Sequence, residues 1–279
     1  MWQNIKTWWR RAVLDKPYKP GKILHDYSLQ AVLGMGSYGI AYKAVHQPTG
    51  QLCVLKQVRP SLRRTPKGEV LQQYEQKVLA ALNHPRMPRW RETFRYRNDS
   101  FLVMSYIEGP TLEELLFDRQ MSIEEAEAAS LIKQVGELVV YLHERKIIHR
   151  DVRIPNVIWN DGQPHLIDFG LARFIGDSPT YSGKEIAYYP EEKQLKRQVE
   201  PASDLYALGH FFLFLLYSGY VAEPDQPERS WEEELTLTPA IRQMLRRLLQ
   251  IDTPYNRAQE WLDELNRYIE TTKSSSPAG

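Results

Sequence analysis

Three side chains in two short segments of the chain carry oxygen atoms suited to phosphate chemistry. Asp151 and Asn156 share one segment, and Asp168 follows a short apolar run further along the chain. A carboxylate can accept the proton of an attacking hydroxyl group. Carboxylate and amide oxygens are also the ligands that hard cations such as Mg²⁺ prefer. Transfer of a phosphoryl group needs little more from a protein than a positioned hydroxyl, metal ions on the phosphates and cationic groups near the developing charge.

A glycine-rich segment at residues 34–39, called the glycine loop here, lies upstream. Its residues are Gly34, Met35, Gly36, Ser37, Tyr38 and Gly39. Glycines let backbone amides approach phosphate oxygens closely. The same spacing also marks dinucleotide-binding turns and ordinary hairpins. A dinucleotide-binding turn opens directly into a helix, whereas residues 40–44 continue as a strand, so this context argues against such a turn and leaves a nucleotide loop or an ordinary hairpin.

A lysine on the next predicted strand, Lys56, would place an ammonium group beside this loop. A lone lysine after apolar residues is usually a surface group. Glu75 in the following predicted helix could hold Lys56 against phosphates. Glu69 is a competing partner, although the helix dipole also explains an acidic residue near a helix start. Each of these residues alone is typical of an ordinary surface, but their joint occurrence in this order indicates phosphoryl transfer.

Two kinds of secondary structure must position these groups. Strand-like patterns begin at Tyr27 and continue at 52–58, 87–96 and 101–106. Helices are predicted at 67–82, at 205–217 and from Ser122 to about residue 143, with Glu125 completing a capping box. A strand-rich half followed by a helical half predicts α+β architecture. A length of 279 residues suits two lobes with a cleft between them.

The composition narrows the classes of function. Lys+Arg is 36 and Asp+Glu is 35, so the net charge of +1 gives no general attraction to nucleic acid. Cys53 is the single cysteine, which rules out an intrachain disulfide and fits a reducing, cytoplasmic setting. The sequence contains no apolar run of the ~20 residues that a transmembrane segment needs. Its N-terminus lacks the pattern of a secretory signal.

Both ends of the chain are predicted to lie outside the lobes. Within residues 1–26, Trp2, Ile5 and Trp9 recur at helical spacing among basic residues, before a proline-containing break. Such a segment can pack on its own domain, bind a partner protein or make peripheral contact with a membrane, and contact with protein is favoured. Residues 271–279 are predicted to be a disordered tail.

From about Tyr27 to Tyr268 the sequence resembles the eukaryotic-like (Hanks-type) protein kinases, in particular the compact bacterial serine/threonine kinase branch. The resemblance implies a bilobal protein kinase fold. A strand-rich N-lobe with one regulatory helix would span 27–108, and a mainly helical C-lobe would span 109–270. It also implies transfer of the γ-phosphoryl group of ATP to serine or threonine hydroxyls of protein substrates, with autophosphorylation as an additional reaction.

The resemblance assigns nucleotide contacts mainly to the N-lobe. The glycine loop would cover the ATP phosphates, and Lys56, paired with Glu75, would hold the α- and β-phosphates. Met104 would close the pocket behind the adenine. The remaining contacts are assigned to the hinge backbone and to one apolar C-lobe residue, namely Ser105, Ile107 and Ile158.

The resemblance assigns the reacting groups mainly to the C-lobe. Asp151 would be the catalytic base, and Arg153 would stabilise charge on the transferred group. Asn156 and Asp168 would hold Mg²⁺ or Mn²⁺. With Lys56 from the N-lobe, Asp151, Arg153 and Asn156 make up the implied catalytic set.

The family pattern implies structural roles for further residues. Asp204 would anchor the backbone of the catalytic loop. Four other side chains would stack into a spine, namely Leu79, Trp90, His149 and Phe169.

Four positions depart from the family pattern. Arg153 stands where serine/threonine kinases usually carry lysine, and Lys184 stands where they carry a threonine whose hydroxyl bonds near the catalytic aspartate. Tyr189 replaces an alanine, and Ala41 replaces a bulkier residue over the adenine. Glu185 is a candidate partner for Arg153. No catalytic group is lost, but the preference for serine and threonine over tyrosine stays open.

Two other functions stay open. A pseudokinase would be a binding scaffold, but such proteins usually lose the lysine, the base or a metal ligand, all of which are present here. A small-molecule phosphotransferase of the aminoglycoside or choline type usually lacks Arg150 and the Pro190-Glu191 step. Arg150 would also be a natural receiver for a phosphate on the segment 171–189. The candidate phosphosites there, each also typical of a polar loop, are Ser178, Thr180, Tyr181 and Ser182.

Overall fold

Two compact units make up the protein, and the computed structural model describes residues 14–63, 65–118, 121–178, 194–221 and 229–275. The first unit is Met1–Ile107 and the second is Glu108–Gly279. The division falls one residue before the predicted lobe boundary. Strands dominate the first unit and helices dominate the second, so the predicted α+β class is confirmed.

The first unit contains a six-stranded antiparallel sheet with the strand order β1-β2-β3-β4-β6-β5. A 3₁₀ turn at Pro60–Leu62 and helix α1 (Pro66–Ala80) lie between β4 and β5 in the chain. The strands are β1 (Ile23–Leu24), β2 (Tyr27–Met35), β3 (Gly39–His46), β4 (Gln51–Val58), β5 (Trp90–Tyr96) and β6 (Asp99–Ser105).

The core of the first unit follows from the alternation of side chains along its strands. Tyr27 and Leu29 on β2 are buried, as are Tyr42 and Ala44 on β3, with the intervening residues less buried. Successive side chains of a strand point to opposite faces, so this period of two places one face of the sheet in the core. Phe94 stacks on Tyr27 with ring centroids 5.6 Å apart and extends the same apolar layer.

Strand β5 begins later than predicted. The sequence pattern starts the strand at residue 87, whereas the structure starts it at Trp90. The amide of Met87 donates to the carbonyl oxygen of His84 in a turn, 3.3 Å away. Pro88 has no amide to offer a neighbouring strand, so pairing begins only beyond it.

The second unit is built mainly from helices. They are α2 (Glu125–Glu144), α3 (Pro201–Tyr217), α4 (Trp231–Glu234), α5 (Pro239–Leu248) and α6 (Ala258–Ser275), with a π-helical turn at Glu114–Asp118 and a 3₁₀ turn at Ile154–Asn156. Two short antiparallel pairs of strands flank the loops that contain Asp151 and Asp168. They are β7 (Ile147–Ile148) with β10 (Arg173–Phe174), and β8 (Val157–Asn160) with β9 (Gln163–Leu166).

The start of α2 differs from the sequence prediction. The predicted capping box consists of Ser122 and Glu125, whereas the observed box consists of Glu124 and Glu127. The amide of the residue that follows Ser122 donates a 2.9 Å hydrogen bond to Ser218 Oγ at the end of α3. This contact holds the chain outside the helix for two more residues, and it joins positions too distant in sequence for a local pattern to reveal.

A glycine permits the close packing of α2 against α6. A Cβ atom placed on Gly136 would lie 2.4 Å from Cζ3 of Trp261. Trp261 is fully buried, so its ring has no open space into which it could move. Only a residue without a side chain fits at position 136.

We expect Gly136→Ala to destabilise the protein by about 1–3 kcal/mol, because the added methyl group overpacks a closed core. Denaturant or thermal unfolding measures this loss. The same substitution in a Trp261→Phe background should cost clearly less, because the smaller ring leaves room for the methyl group. An equal cost in both backgrounds would contradict the proposed contact.

The structure describes part of each predicted end segment, namely residues 14–26 and 271–275. Ile23–Leu24 pairs with β2, Tyr18 bonds to Asp99 on β6, and Asp15 bonds to Ser61 in the 3₁₀ turn, so residues 14–26 pack with the first unit. The tryptophans of residues 1–13 lie outside the described part of the chain. Helix α6 continues to Ser275, so residues 271–275 are helical and do not form the predicted tail.

No helix within the described ranges is long and apolar enough to cross a membrane.

Candidate active site

The glycine loop forms the turn between β2 and β3. Gly34 and Met35 end β2, Gly39 opens β3, and residues 36–38, including Ser37 and Tyr38, form the connection. The amide of Gly36 donates to the carbonyl oxygen of Gly39 at 2.9 Å, which closes the turn. A Cβ atom on Gly39 would lie 2.9 Å from the backbone oxygen of residue 57, so this position requires glycine.

The predicted lysine–glutamate pair is present in the first unit. Lys56 Nζ on β4 lies 2.7 Å from Glu75 Oε1 on α1. The Glu75 side chain is 5% exposed and that of Lys56 is 22% exposed, so the ion pair is largely desolvated. The competing partner Glu69 instead bonds to Arg95 at 2.8 Å. Lys56 is thereby held in the position that the resemblance requires for binding phosphates, a role that stays a prediction.

The hinge residues lie at the end of the first unit. Ser105 is the last residue of β6, and Ile107 is the last residue of the unit. The amide of Ser105 donates to the carbonyl oxygen of Arg89, and its hydroxyl accepts from the amide of Arg89, both at 2.9 Å. Of these two residues, therefore, Ile107 is the one whose backbone amide could serve as a donor to an adenine. Met104, assigned to the back of the pocket, is buried.

Asp151 and Asn156 are in direct contact in the second unit. Asn156 Nδ2 donates to both the backbone oxygen and Oδ2 of Asp151, each at 2.9 Å. The 3₁₀ turn at Ile154–Asn156 folds the chain back and makes these two bonds possible. Because the amide nitrogen of Asn156 faces Asp151, its Oδ1 is directed elsewhere. One residue thus holds the candidate base and keeps an oxygen available as a ligand.

Arg153 lies beside the same carboxylate. Its Nε is 3.5 Å from Asp151 Oδ2, and its side chain is 61% exposed. A guanidinium group has five N–H donors, so a contact with Asp151 leaves several of them available for another anion. Glu185, the partner predicted for Arg153, lies outside the described residues.

Asp204 holds the backbone of this loop. Its two carboxylate oxygens accept from the amides of His149 at 2.8 Å and Arg150 at 2.7 Å, and His143 Nε2 lies 3.0 Å from Oδ2. The anchoring geometry implied by the family resemblance is therefore present. Burial alone would raise the pKa of Asp204, but the hydrogen bond and charge of His143, the charge of His149 and the Arg150 amide together lower it. Asp204 is fully buried and thus stays an ionised acceptor for the loop.

The two candidate metal ligands lie at one end of the β8–β9 hairpin. The register pairs Val157 with Leu166, and the amide of Ile167 donates to the backbone oxygen of Asn156 at 2.9 Å. Asp168 therefore follows directly on a residue that is bonded to Asn156. One carboxylate and one amide oxygen fit Mg²⁺ or Mn²⁺, since Mg²⁺ commonly takes one or two carboxylates and completes its shell with substrate phosphates and water.

Asp168 and Arg150 both have left-handed backbones, with φ of 63° and 66°. Residues other than glycine adopt this conformation uncommonly, and its backbone strain costs about 1–3 kcal/mol for each residue. Arg150 is buried, and its guanidinium donates to the backbone oxygens of Leu171 and Arg197. Arg150 thus joins two backbone segments, and its role as a receiver for phosphate on the segment 171–189 stays a prediction.

One part of the predicted spine is visible within a single unit. The rings of His149 and Phe169 meet edge to face with centroids 4.9 Å apart. The other two predicted members, Leu79 and Trp90, belong to the first unit. Ile158, the C-lobe residue assigned to the nucleotide, lies on β8 opposite Thr111 in an isolated bridge.

Several sequence predictions fall outside the described residues, which omit 179–193. Ser178 is described, and Arg257, which the family resemblance would pair with Glu191, bonds to Glu260 at 3.3 Å. The predicted positions within this gap are Thr180, Tyr181, Ser182, Lys184, Tyr189, Pro190 and Glu191.

Comparison with known families decides the assignment. The sequence model of the protein kinase domain family matches residues 27–275. This chain belongs to the protein kinase family. A relative from Bacillus subtilis strain 168, named as the probable serine/threonine-protein kinase YbdM, is 38% identical over 263 residues, which cover 94% of this chain and 97% of the relative. Serine/threonine-protein kinase B of a Synechocystis species is 28% identical over 266 residues, covering 86% of this kinase and 46% of that protein.

Solved structures support the fold of this kinase. The kinase domain of PknI from Mycobacterium tuberculosis aligns with a TM-score of 0.66 at 22% sequence identity, covering 90% of this chain and 99% of that domain. The family uses ATP and a divalent metal ion and acts on proteins. The expectations of a Hanks-type protein kinase and of its fold are therefore confirmed.

Proposed function

We propose that this kinase transfers the γ-phosphoryl group of ATP to serine and threonine hydroxyls of proteins, with Asp151 as the catalytic base. The observation that carries the proposal is the pair of bonds from Asn156 Nδ2 to Asp151. These bonds hold the carboxylate in one orientation, and the Asp151 side chain remains 20% exposed and accessible to a hydroxyl group. The names of the bacterial relatives support serine and threonine as acceptors.

Asp151 would orient the acceptor hydroxyl and take its proton as the new bond to phosphorus forms. Its Oδ2 accepts from Asn156, which leaves Oδ1 for the hydroxyl. Arg153, 3.5 Å from Oδ2, would use its other N–H groups to stabilise charge on the group in transfer. The leaving group would be ADP, whose β-phosphate would take the negative charge of the broken bond.

Lys56 would bind the α- and β-phosphates of ATP, and Glu75 would hold Lys56 in place at 2.7 Å. The amides of the glycine loop would cover the phosphates. Asn156 Oδ1 and the Asp168 carboxylate would hold Mg²⁺ or Mn²⁺, which neutralises phosphate charge when bound. Each of these residues would act by position and charge, without a covalent intermediate on the protein.

The proposal is tested by incubating the purified full chain with ATP labelled at the γ-phosphate, Mg²⁺ or Mn²⁺, and casein as a general acceptor. Acid hydrolysis and separation of the phosphoamino acids then identify the labelled residue. We expect label on phosphoserine or phosphothreonine, and none when the metal ion is chelated. Label on tyrosine alone would overturn the serine/threonine assignment and point to the departures at Arg153 and Lys184.

A complete absence of label with either metal ion, despite measurable ATP binding, would favour a binding scaffold over an enzyme. Label on the kinase itself would test the proposed autophosphorylation, and peptide mass spectrometry would show whether it falls within 171–189. Label on a small aminoglycoside or on choline, with none on casein, would favour the small-molecule phosphotransferase class.

A further inference from the structure

A buried aspartate near the N-terminus makes contacts that the proposed reaction does not use. Asp15 is 5% exposed and lies before the first strand of the sheet. Its Oδ1 accepts from the amide of Ser61 at 2.8 Å, and its Oδ2 accepts from the Ser61 hydroxyl at 2.9 Å. Oδ2 also accepts from Arg59 Nη1 at 2.9 Å. A buried carboxylate with three donors, one of them charged, is strongly fixed in place.

Arg59 connects this carboxylate to the glycine loop. Its Nε donates to the backbone oxygen of Gly36 at 2.6 Å, and its own amide donates to the backbone oxygen of Tyr38 at 2.9 Å. The side chain of Arg59 is 14% exposed. Since the guanidinium group is planar and rigid, fixing Nη1 on Asp15 also fixes the direction in which Nε points. The loop is thus held from one side by a single residue.

The N-terminal segment is attached to the same unit at a second point. The hydroxyl of Tyr18 donates to Asp99 Oδ2 at 2.7 Å, and its amide donates to the hydroxyl of Tyr42 at 3.1 Å. Asp99 is 2% exposed and is also bonded by Arg63. Burial and the bond to Asp99 raise the pKa of Tyr18 to about 12, so its hydroxyl stays a donor at neutral pH. Asp15 therefore sits on a segment that is held on both sides of Pro17.

We propose that Asp15 is a positioning residue for ATP, which acts through Arg59 to hold the carbonyl of Gly36 and so to set the conformation of the glycine loop. The inference rests on the proposed function, because it assigns the glycine loop to the ATP phosphates. The matched kinase domain covers residues 27–275. The proposal therefore assigns a role in nucleotide binding to a residue that lies before this domain.

The physical reason is the conformational freedom of the glycines in the loop. The amide of Gly36 closes the turn on Gly39, and a bond from Arg59 to the Gly36 carbonyl restricts this flexible turn further, since glycine has the largest conformational freedom of any residue. A cation aimed at a loop carbonyl turns that carbonyl away from the side where amides would face phosphate. Without Asp15, Arg59 would lose its charged partner and could turn toward solvent. ATP would then have to order the loop amides as it binds, and this cost would lower its affinity.

The test compares Asp15→Asn with the wild type in the full chain. The amide side chain keeps the size of the carboxylate but cannot accept at both oxygen positions. We expect the KM for ATP to rise roughly fivefold to tenfold, the order expected when a charge-assisted positioning bond is lost, with kcat changed less than about threefold. Hydrogen exchange of the peptide that contains the glycine loop should become faster in the variant without ATP.

Three further variants separate positioning from simple loss of stability. Arg59→Lys keeps the positive charge but cannot bond to Asp15 and Gly36 together, and it should raise the KM for ATP like Asp15→Asn. The double variant should be no worse than the weaker-binding single variant, since the two residues act as one unit. Ser61→Ala removes one donor to Asp15 but leaves the bond from Arg59 in place, so it should raise the KM for ATP less than Asp15→Asn does.

The outcomes are distinct even if Asp15→Asn does not fold, because Arg59→Lys tests the same bond to Gly36. An unchanged KM and unchanged loop exchange in folded variants would overturn the inference. Fully additive effects of the two substitutions would overturn it as well. If calorimetry showed that the wild-type protein binds no ATP, the proposed function would fail. If the wild type bound ATP and the variants bound it equally well, only the role of Asp15 would fail.

Discussion

Asp151→Asn is expected to lower kcat for phosphoryl transfer about 10²–10⁴-fold, which is the usual contribution of a positioned general base. The substitution is isosteric, but an amide cannot take the proton of the acceptor hydroxyl. ATP binding should change little, because the nucleotide contacts proposed above belong to Lys56 and the glycine loop. Rates with labelled ATP and casein, together with calorimetric affinity for ATP, measure the two quantities separately.

A matched control for this variant is Asp161→Asn. Asp161 is an exposed residue in the turn of the β8–β9 hairpin, with φ of 48°, a conformation that asparagine tolerates well. The same chemical change at this exposed position should leave kcat within about twofold of wild type, as is usual for surface substitutions. If Asp151→Asn retained wild-type activity, another residue would have to be the base.

Asp204→Asn is expected to destabilise the second unit by about 3 kcal/mol, because a buried charged acceptor is replaced by a group that can no longer accept at both positions. The amide NH₂ would face either a loop amide or His143, and one buried donor would lose its partner. For a unit of this size the melting temperature should fall by roughly 6–12 °C. Differential scanning calorimetry measures the change, and Asp161→Asn again serves as the control with little expected effect.

The effect of Asp204→Asn should also depend on pH in a defined direction. The pKa of Asp204 is lowered in the folded protein from its ordinary value of 3.8. Its stabilising contribution is therefore fully present above about pH 4 and is lost as the pH falls through the lower folded pKa. The difference in melting temperature between wild type and variant should be constant near neutral pH and should narrow below pH 4. A difference that widened in acid would contradict this account.

Much of the site could be predicted because the relevant residues are close in sequence or belong to an ordered set of motifs. The Lys56–Glu75 pair and the anchoring by Asp204 match the expectations from the motif order. The Asp151–Asn156 contact spans only five residues, so one 3₁₀ turn brings them together. The strongly apolar pattern at 205–217 likewise corresponds to helix α3, in which most residues are buried and the less buried ones, Phe214 among them, recur on one face.

The remaining features depend on partners far away in the chain, which local patterns do not contain. Asp15 has no hydrophobic periodicity around it, and its partners Arg59 and Ser61 lie 44 and 46 residues away. The start of α2 is set by Ser218, 95 residues from its partner. For such contacts the sequence gives the residue types but not the pairing, because many polar residues could serve equally well.

The β8–β9 hairpin and the Asp204 anchor differ in how far apart along the chain their contacts lie, and this has a consequence for folding. The hairpin pairs residues 157–160 with 163–166, so it can close on a timescale of about 1–10 μs. The bonds of Asp204 to the loop amides span 54 and 55 residues, so they require closure of a much larger loop. The two candidate metal ligands would therefore be neighbours early in folding, whereas the loop that bears Asp151 would reach its final shape only when α3 docks. During gradual unfolding, catalytic competence would disappear while this hairpin is still intact.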